Sequence, residues 1–395
     1  MMLRKIRTHH GHSEGRIFSL MVFIMGFGVS MLIPIFPNFV KSILHTDSAT
    51  SLFYSGMALM MFAAAISSTI IFKKIQRTTI TKISLLVSAI AFLLLVFVNR
   101  LVELSVINMI RSWFILFLIM SLALFVRDFS REKNLCEQEG FFYTFSNMGY
   151  LLGPLVGGFL AAYFGYEFVF ALAAAVFITG LIYFYHKHVI QKHPAIINQK
   201  KTSTAKLIHN IKNYFKNPER TKIYLVTFAL MSWFGFRRLY IPLYVVTAGF
   251  SDSITGIILA ASIVPLILLE VAVGKYGDKK GIRIPVSAGF LIIALCLIGV
   301  YLSSNVWMDF TLLIIGNIGA ALVEPLQESY LFKNLPREEE EDLYGIYMTA
   351  DPMAYFLTPA IGAAILFLLP FESLFLIFGI LILGASALAF TKLQY

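Results

Sequence analysis

The chain has 395 residues, 58% hydrophobic and only 14% charged, with a formal net charge of +10. So little charge could not cover a water-soluble enzyme of two or three domains, which length alone would suggest. Two cysteines, Cys136 and Cys296, far apart and without metal-ligand spacing, exclude a disulfide-stapled fold. The positive balance leaves nucleic acid as a partner to be tested against where the charges fall.

In chain order, residues 1–16 form a polar tail, with His9, His10 and His12 read as solvated rather than metal-binding. Apolar runs of about 18–25 residues follow, the length that crosses a ~30 Å hydrocarbon layer at ~1.5 Å per residue. They run Ile17–Val40, Ser51–Phe72, Ile80–Val98, Leu101–Val126, Phe141–Phe164 and Phe168–Tyr185 in the first half. The second half holds Ile223–Ala248, Ile254–Val273, Ile284–Leu302, Val306–Phe332, Leu343–Leu369 and Leu374–Phe390. A membrane barrel would instead show alternating segments of ~10 residues. The first run is long and lacks a small-residue cleavage site, so it reads as an uncleaved span rather than a signal peptide.

Lys and Arg concentrate in alternate connections, with only Lys41 and Arg100 in the opposing set, which predicts both termini on the cytoplasmic side of a cell (inner or plasma) membrane. Topology thereby accounts for the basic balance, and no nucleic-acid partner is expected. The basic segment 186–222 divides six spans from six. A shift of 205 residues pairs Gly140 with Gly345, Thr144 with Thr349, Tyr150 with Tyr355, Pro154 with Pro359, Gly157 with Gly362 and Glu167 with Glu372. The expected fold is therefore all-α and membrane-integral: twelve transmembrane helices in two six-helix bundles, 17–185 and 223–390, joined by a cytoplasmic linker, with a short tail 391–395. Two halves related by duplication are a transporter architecture, with substrate bound between them near the bilayer midplane.

Three stretches carry a sharper signal. In the fifth span Gly140, Gly149, Gly153-Pro154 and Gly157-Gly158 stand at near-helical spacing, suited to close backbone approach and a proline bend. In the first span Gly28 precedes Pro34-Ile35-Phe36-Pro37, where two prolines interrupt the ladder. After the eighth, Gly274-Lys275-Tyr276-Gly277-Asp278 leads to Gly281-Ile282-Arg283, a tight basic turn. On these motifs the chain resembles the major facilitator superfamily, and within it the twelve-span drug:proton antiporters. The resemblance implies that the glycine, proline and aspartate positions of the first and third stretches form the conformational machinery. The equivalent first-half loop, Phe72 to Arg77, keeps its positive charge but lacks the glycines and aspartate, and Phe114-Ile115 stand where the group has Gln-Gly after its fourth-helix arginine.

Ionisable groups inside apolar spans cost roughly 2.5–3.5 kcal/mol at the bilayer centre, which marks them as site candidates. Arg111 and Arg237 come about 15 and 16 Å into their spans. The superfamily lines its cavity with helices 1, 4, 7 and 10, so the resemblance implies that Arg111, Arg237 or Arg238, and Glu324 with Glu328 face it. Arg111, Arg237, Arg238, Asn38 and Tyr240 are the expected substrate contacts. Glu324 and Glu328, four apart, stack on one helical face. Two such carboxylates cannot both ionise cheaply in a low dielectric, which suits them to proton exchange; Asp351 is the second choice, and a fixed salt bridge to an arginine is the structural alternative. No phosphate-cradling loop, metal cluster or nucleophile–base pair is recognisable, so neither enzyme activity nor a cofactor is expected. The expected function is proton-coupled efflux of a small amphipathic or drug-like compound by a monomer. A proton-driven importer or lipid or organic-anion carrier, and a transport-inactive receptor or scaffold, are the alternatives. Expected partners are a small-molecule substrate, protons and membrane lipid.

Overall fold

A computed structural model describes residues 18–129, 135–186, 207–334, 343 and 346–393, and every regular element among them is a helix. The first predicted span is two helices, α1 (Phe18–Ser30) and α2 (Phe36–Leu44), with a break at 31–35. Pro34 and Pro37 have no N–H to donate, and neighbouring amides tighten to i→i−3 bonds, Leu32 to Val29 at 3.3 Å and Ile33 to Ser30 at 3.1 Å. The spans that follow are α3 (Asp47–Lys74), α4 (Arg77–Leu95), α5 (Leu101–Phe129), α6 (Leu135–Phe164) and α7 (Tyr166–His186). Gly165, at φ +84, makes the sharp corner between the last two, a conformation that suits a residue without Cβ.

Within the predicted linker the structure places a helix, α8 (Leu207–Lys216), that the charge reading did not anticipate. Tyr214 anchors it: the ring is fully buried and its hydroxyl donates to the Arg220 carbonyl at 3.2 Å. The next helix, α9 (Pro218–Thr247), starts where it does because Asn217 accepts from the amides of Glu219 and Arg220 and proline occupies the first turn. The eighth span is broken into α10 (Asp252–Ala261) and α11 (Val264–Lys280), with Pro265 opening the second piece. The chain ends with α12 (Arg283–Leu302), α13 (Val306–Lys333), α14 (Ala350–Leu368) and α15 (Ser373–Lys392). Among the described residues nine helical stretches are long and apolar enough to cross a membrane, one of them, Asp252–Leu269, running over the break between α10 and α11. The other three predicted spans fall on α1–α2, on α3 and on α9.

The chain divides into two compact units. One comprises Met1–Phe39, Met60–Lys201 and Ser251–Ala260, the other Val40–Leu59, Thr202–Phe250 and Ala261–Tyr395. The first half of α3 thus belongs with the second half of the sequence, and α10 with the first.

In the first unit α4 packs on α5 and α7, with Phe92 against Phe177 at 5.0 Å, and α2 brings Phe39 against Phe170 of α7 at 4.9 Å. One stripe of α6, Gly149, Gly153 and Gly157, lies on α1 and the first residue of the break: a Cβ at Gly149 would stand 2.7 Å from the Phe27 nitrogen, and one at Gly157 would collide with the Met31 carbonyl. Ser30 Oγ reinforces this seam, donating to the Gly149 carbonyl at 2.9 Å. Gly158, turned to another side, meets the backbone of Asp252 and Gly256 and so seats α10.

The second unit is knitted by α12 with α13 and α15, by α9 with α14, and by α11 with α13. Phe236 sits among Tyr240, Phe378 and Phe375 at 5.0–5.6 Å. The first half of α3 is held by three serines: Ser48 donates to the Ala363 carbonyl at 3.0 Å, Ser55 to the Phe356 carbonyl at 3.0 Å, and Ser51 accepts from the Tyr240 hydroxyl at 3.1 Å. Gly277 brings α11 against Leu326 of α13, and Gly281, at φ +84, ends α11. At the start of α9, outside the apolar stretch, Glu219 accepts from Lys222 at 2.5 Å and from the Tyr330 hydroxyl at 2.5 Å. Burial alone would raise its pKa; the bonds from Lys222 and Tyr330 outweigh burial and hold it below the ordinary carboxylate value.

Two glycines should respond oppositely to one methyl group. Gly157→Ala must push α6 off Met31 and is expected to lose about 1–3 kcal/mol of stability, whereas Gly274→Ala, with nothing within 4 Å, should be neutral or gain up to about 1 kcal/mol from helix propensity; thermal unfolding in detergent reads both. Because Glu219 has a depressed folded pKa, its stabilisation is present above the unfolded carboxylate pKa and lost as pH falls through the folded one. Wild type should therefore unfold at a higher temperature than Glu219→Gln at pH 7, with the gap closing in acid.

Candidate functional site

Arg111 lies ten residues into α5, about 15 Å from its start. It is 9% exposed, and both Nε, at 3.0 Å, and Nη2 donate to Oδ1 of Asn108, one turn back on the same face. The guanidinium carbon stands 4.8 Å from the Phe36 ring centroid and 5.2 Å from that of Phe92, so α2 and α4 present aromatic rings to it. A desolvated cation over a ring gains up to about 2 kcal/mol, part of what burial of the charge costs. Nearby in the sequence of α2, Asn38 is buried and donates to Asp252 Oδ1 at 3.1 Å, and Asp252 also bonds the Tyr166 hydroxyl. Three helices of the first unit, α2, α7 and α10, meet in that network.

The second unit has a counterpart. Arg237 Nη1 donates to Asn317 Oδ1 on α13 at 2.7 Å, and its guanidinium carbon lies 5.1 Å from the Phe234 ring centroid, one turn back on α9. Asn317 is fully buried and its Nδ2 donates to the Leu313 carbonyl at 3.0 Å, which fixes the amide so that the oxygen, not the nitrogen, is presented to the arginine. Arg238 turns the other way and stacks over Tyr355 of α14 at 5.5 Å. The two adjacent arginines thus point at different helices, as a ~100° step along α9 requires.

Glu324 is half-buried and follows Asn317 by seven residues on α13, nearly the same face and about 10 Å further along. Asp351, half-buried, sits in the first turn of α14, where unpaired N–H groups favour an anion, one turn before Tyr355. Glu328, Asp278 and Gly140 lie on helices whose backbone is described, while their surroundings fall outside the described residues.

Tyr240 stands apart from these polar positions. It is fully buried in the Phe236, Phe371 and Phe378 cluster, its hydroxyl on Ser51, and it fills the space beside Gly362. In the fold it packs α9 against α3 and α14.

Several residues of these clusters went unnoticed in the sequence. Asn108 and Asn317 carry no charge, yet each is the acceptor for an intramembrane arginine; a polar amide inside an apolar run was the available signal. Asp252 was placed two residues outside its span. Asp309, in the first turn of α13, is 3% exposed and accepts from the Tyr244 hydroxyl at 2.6 Å.

The Arg237–Asn317 pair can be weighed directly. A hydrogen bond to a charged group contributes about 1.5–3 kcal/mol, so Asn317→Leu should lower stability by that order, and Asn317→Leu with Arg237→Met should lose less than the two single changes summed, as read by a thermal double-mutant cycle.

With this geometry in place, the likeness to known proteins is direct. The Major Facilitator Superfamily profile matches residues 18–350 and 240–394. An uncharacterized MFS-type transporter of Methanocaldococcus jannaschii is 21% identical over 355 residues, 88% of this chain and 90% of that protein. The staphylopine export protein of Staphylococcus aureus is 23% identical over 282 residues, 70% of each chain. Among solved structures, a POT family transporter in complex with a thioalcohol-conjugated peptide superposes with a TM-score of 0.79 at 12% identity, covering 94% of both chains. A bacterial homolog of the human lysosomal transporter Spinster, inward-facing and unoccupied, gives 0.75 at 13% identity over 97% of this chain and 96% of that one. Helices, motif geometry and family profile agree: the chain belongs to the major facilitator superfamily, as a multi-pass membrane transporter.

Proposed function

We propose that this protein exports a small amphipathic compound in exchange for protons, by alternating access, from a cytoplasm that also holds both termini. The observation that carries the reading is the pair of arginines, one in each unit, seated on a buried asparagine with an aromatic ring alongside, midway along apolar helices. A charge held at that depth costs free energy unless a partner, a polar ligand or water meets it. In this reading Arg111 and Arg237 are each a contact for an acidic group of a cargo, the rings beside each arginine contact apolar parts, and Asn38, Arg238 and Tyr240 are further candidate contacts. Support for export over import comes from the fifth-span glycine pattern and from the relative named as a staphylopine exporter. Support for cytoplasmic termini of a plasma-membrane protein comes from the distribution of Lys and Arg.

Glu324 is the proposed proton carrier, with Glu328 beside it and Asp351 as the second carboxyl. It shares the Asn317 face of α13, so protonation there and cargo binding at Arg237 act on one helix. The glycines of α6 and the turn from Gly274 to Gly281, including Asp278, are the proposed moving joints. The arginines also favour a second reading, import of an organic anion together with protons.

Proteoliposomes loaded with a pH-sensitive dye separate the two. Addition of a panel of amphipathic acids should move protons opposite to the compound, and movement in the same direction would establish import instead. Glu324→Gln should reduce gradient-driven transport at least tenfold while leaving compound exchange without a gradient nearly intact; full gradient-driven transport in that variant would remove Glu324 from the mechanism.

A further inference from the structure

An open groove of about 430 Å³ runs between α4 and α7 of the first unit, floored by Ile83 and Leu86 on one helix and Leu181 and Ile182 on the other. Three of these apolar side chains are largely exposed, Leu86 by 47% and Ile182 by 53%, and Ile90 and Ile178 continue the exposed line on the same two helices. On a span, an exposed apolar face is one that meets acyl chains. The groove is not apolar throughout. At its mouth stand Lys82, Tyr185 and His186, with the Lys82 ammonium 4.9 Å from the Tyr185 ring centroid. The ring fixes the ammonium at the rim, as long basic side chains near a span end are fixed when they reach for the headgroup layer.

On the two helices that form the groove, the charge at this end is positive. Helix α4 contains no acidic residue, and the only one on α7, Glu167, lies at the opposite end of that helix. Lys73, Lys74 and Arg77 precede Lys82 in the sequence, and the basic segment 186–222 begins at His186. An occupant must therefore be apolar along its length and anionic at one end.

We infer that this groove is a binding site for an anionic phospholipid, with one acyl chain along the α4–α7 crevice and the phosphate against Lys82 and His186. Basic pockets between membrane helices recognise such headgroups by charge. A zwitterionic lipid offers the same phosphate, but its ammonium group meets the Lys82 ammonium unfavourably, so net charge sets the preference. Neither the cargo contacts nor the proposed proton carboxyls belong to this face, and the site is independent of the direction of transport.

The test uses the full-length protein with Ile182→Trp in phosphatidylcholine vesicles, its fluorescence taken as the difference from the parent protein. Brominated-chain phosphatidylglycerol is compared with brominated-chain phosphatidylcholine at equal mole fraction, and Leu295→Trp, on an exposed apolar face of α12, reports ordinary lipid contact. Quenching at 182 is expected to favour phosphatidylglycerol at least threefold, and quenching at 295 to show no preference. Lys82→Gln with His186→Gln should bring position 182 to the control value, while Lys82→Arg retains the preference. Equal quenching by both lipids at 182, or a preference that survives removal of both basic groups, overturns the assignment. So do loss of the preference on adding inorganic phosphate at constant ionic strength, which would mean a free anion occupies the rim, and loss of quenching as protein density rises, which would mean a second copy covers the groove.

Discussion

Hydrocarbon offers no hydrogen bonds, and each backbone N–H or C=O left unmet inside it costs several kcal/mol. The rest of the molecule follows from that constraint. It explains why all regular structure among the described residues is helical, and why polar side chains inside the spans fold back on their own helices. Thr50, Thr81, Thr179 and Ser232 each donate to the carbonyl four residues earlier at 2.8–2.9 Å. Prolines test the constraint hardest. Where Pro34 and Pro37 withhold donors, the chain tightens into three-residue bonds and resumes as α2. Within α6, Pro154 is accommodated without a break, in a helix packed by glycines on two sides.

The same constraint governs charge. A guanidinium at mid-helix needs partners for its donors and its charge, and in each unit an amide oxygen and an aromatic face are among them. The asparagine supplies direction without adding a second formal charge, and the rings supply polarisable contact. The economy of the arrangement lies in the helix period: Asn108 with Arg111, and Phe234 with Arg237, are each three apart, so a single turn builds half of each site.

Much of this was legible from residue order. The spans, the proline break and the glycine pattern depend on local chemistry, namely hydropathy over ~20 residues, missing donors and missing Cβ atoms, and these survive translation into structure. What a helix faces is a different matter. In segments apolar all round, periodicity carries almost no information about orientation, so the bond from Tyr240 to Ser51 could not be foreseen, and Arg237 could not be told from Arg238. Helix α8 was hidden because the segment 186–222 was read as a whole by its many Lys and Arg, while Tyr214 does the anchoring. Asp252 was missed by the width of a boundary, and Asn108 and Asn317 because attention to formal charge passes over amides.

Helix lengths carry a consequence of their own. At ~1.5 Å per residue, α5, α6 and α9, with 29, 30 and 30 residues, reach about 44 Å, well beyond a ~30 Å hydrocarbon slab. Such rods either lean or extend their last turns into the headgroups, and each ångström of misfit has a small elastic cost to the surrounding lipid. Bilayer thickness thereby becomes a mechanical input to the protein: a thinner leaf or a thicker one changes the tilt at which these long helices rest, and with it the ease of any motion that alters that tilt.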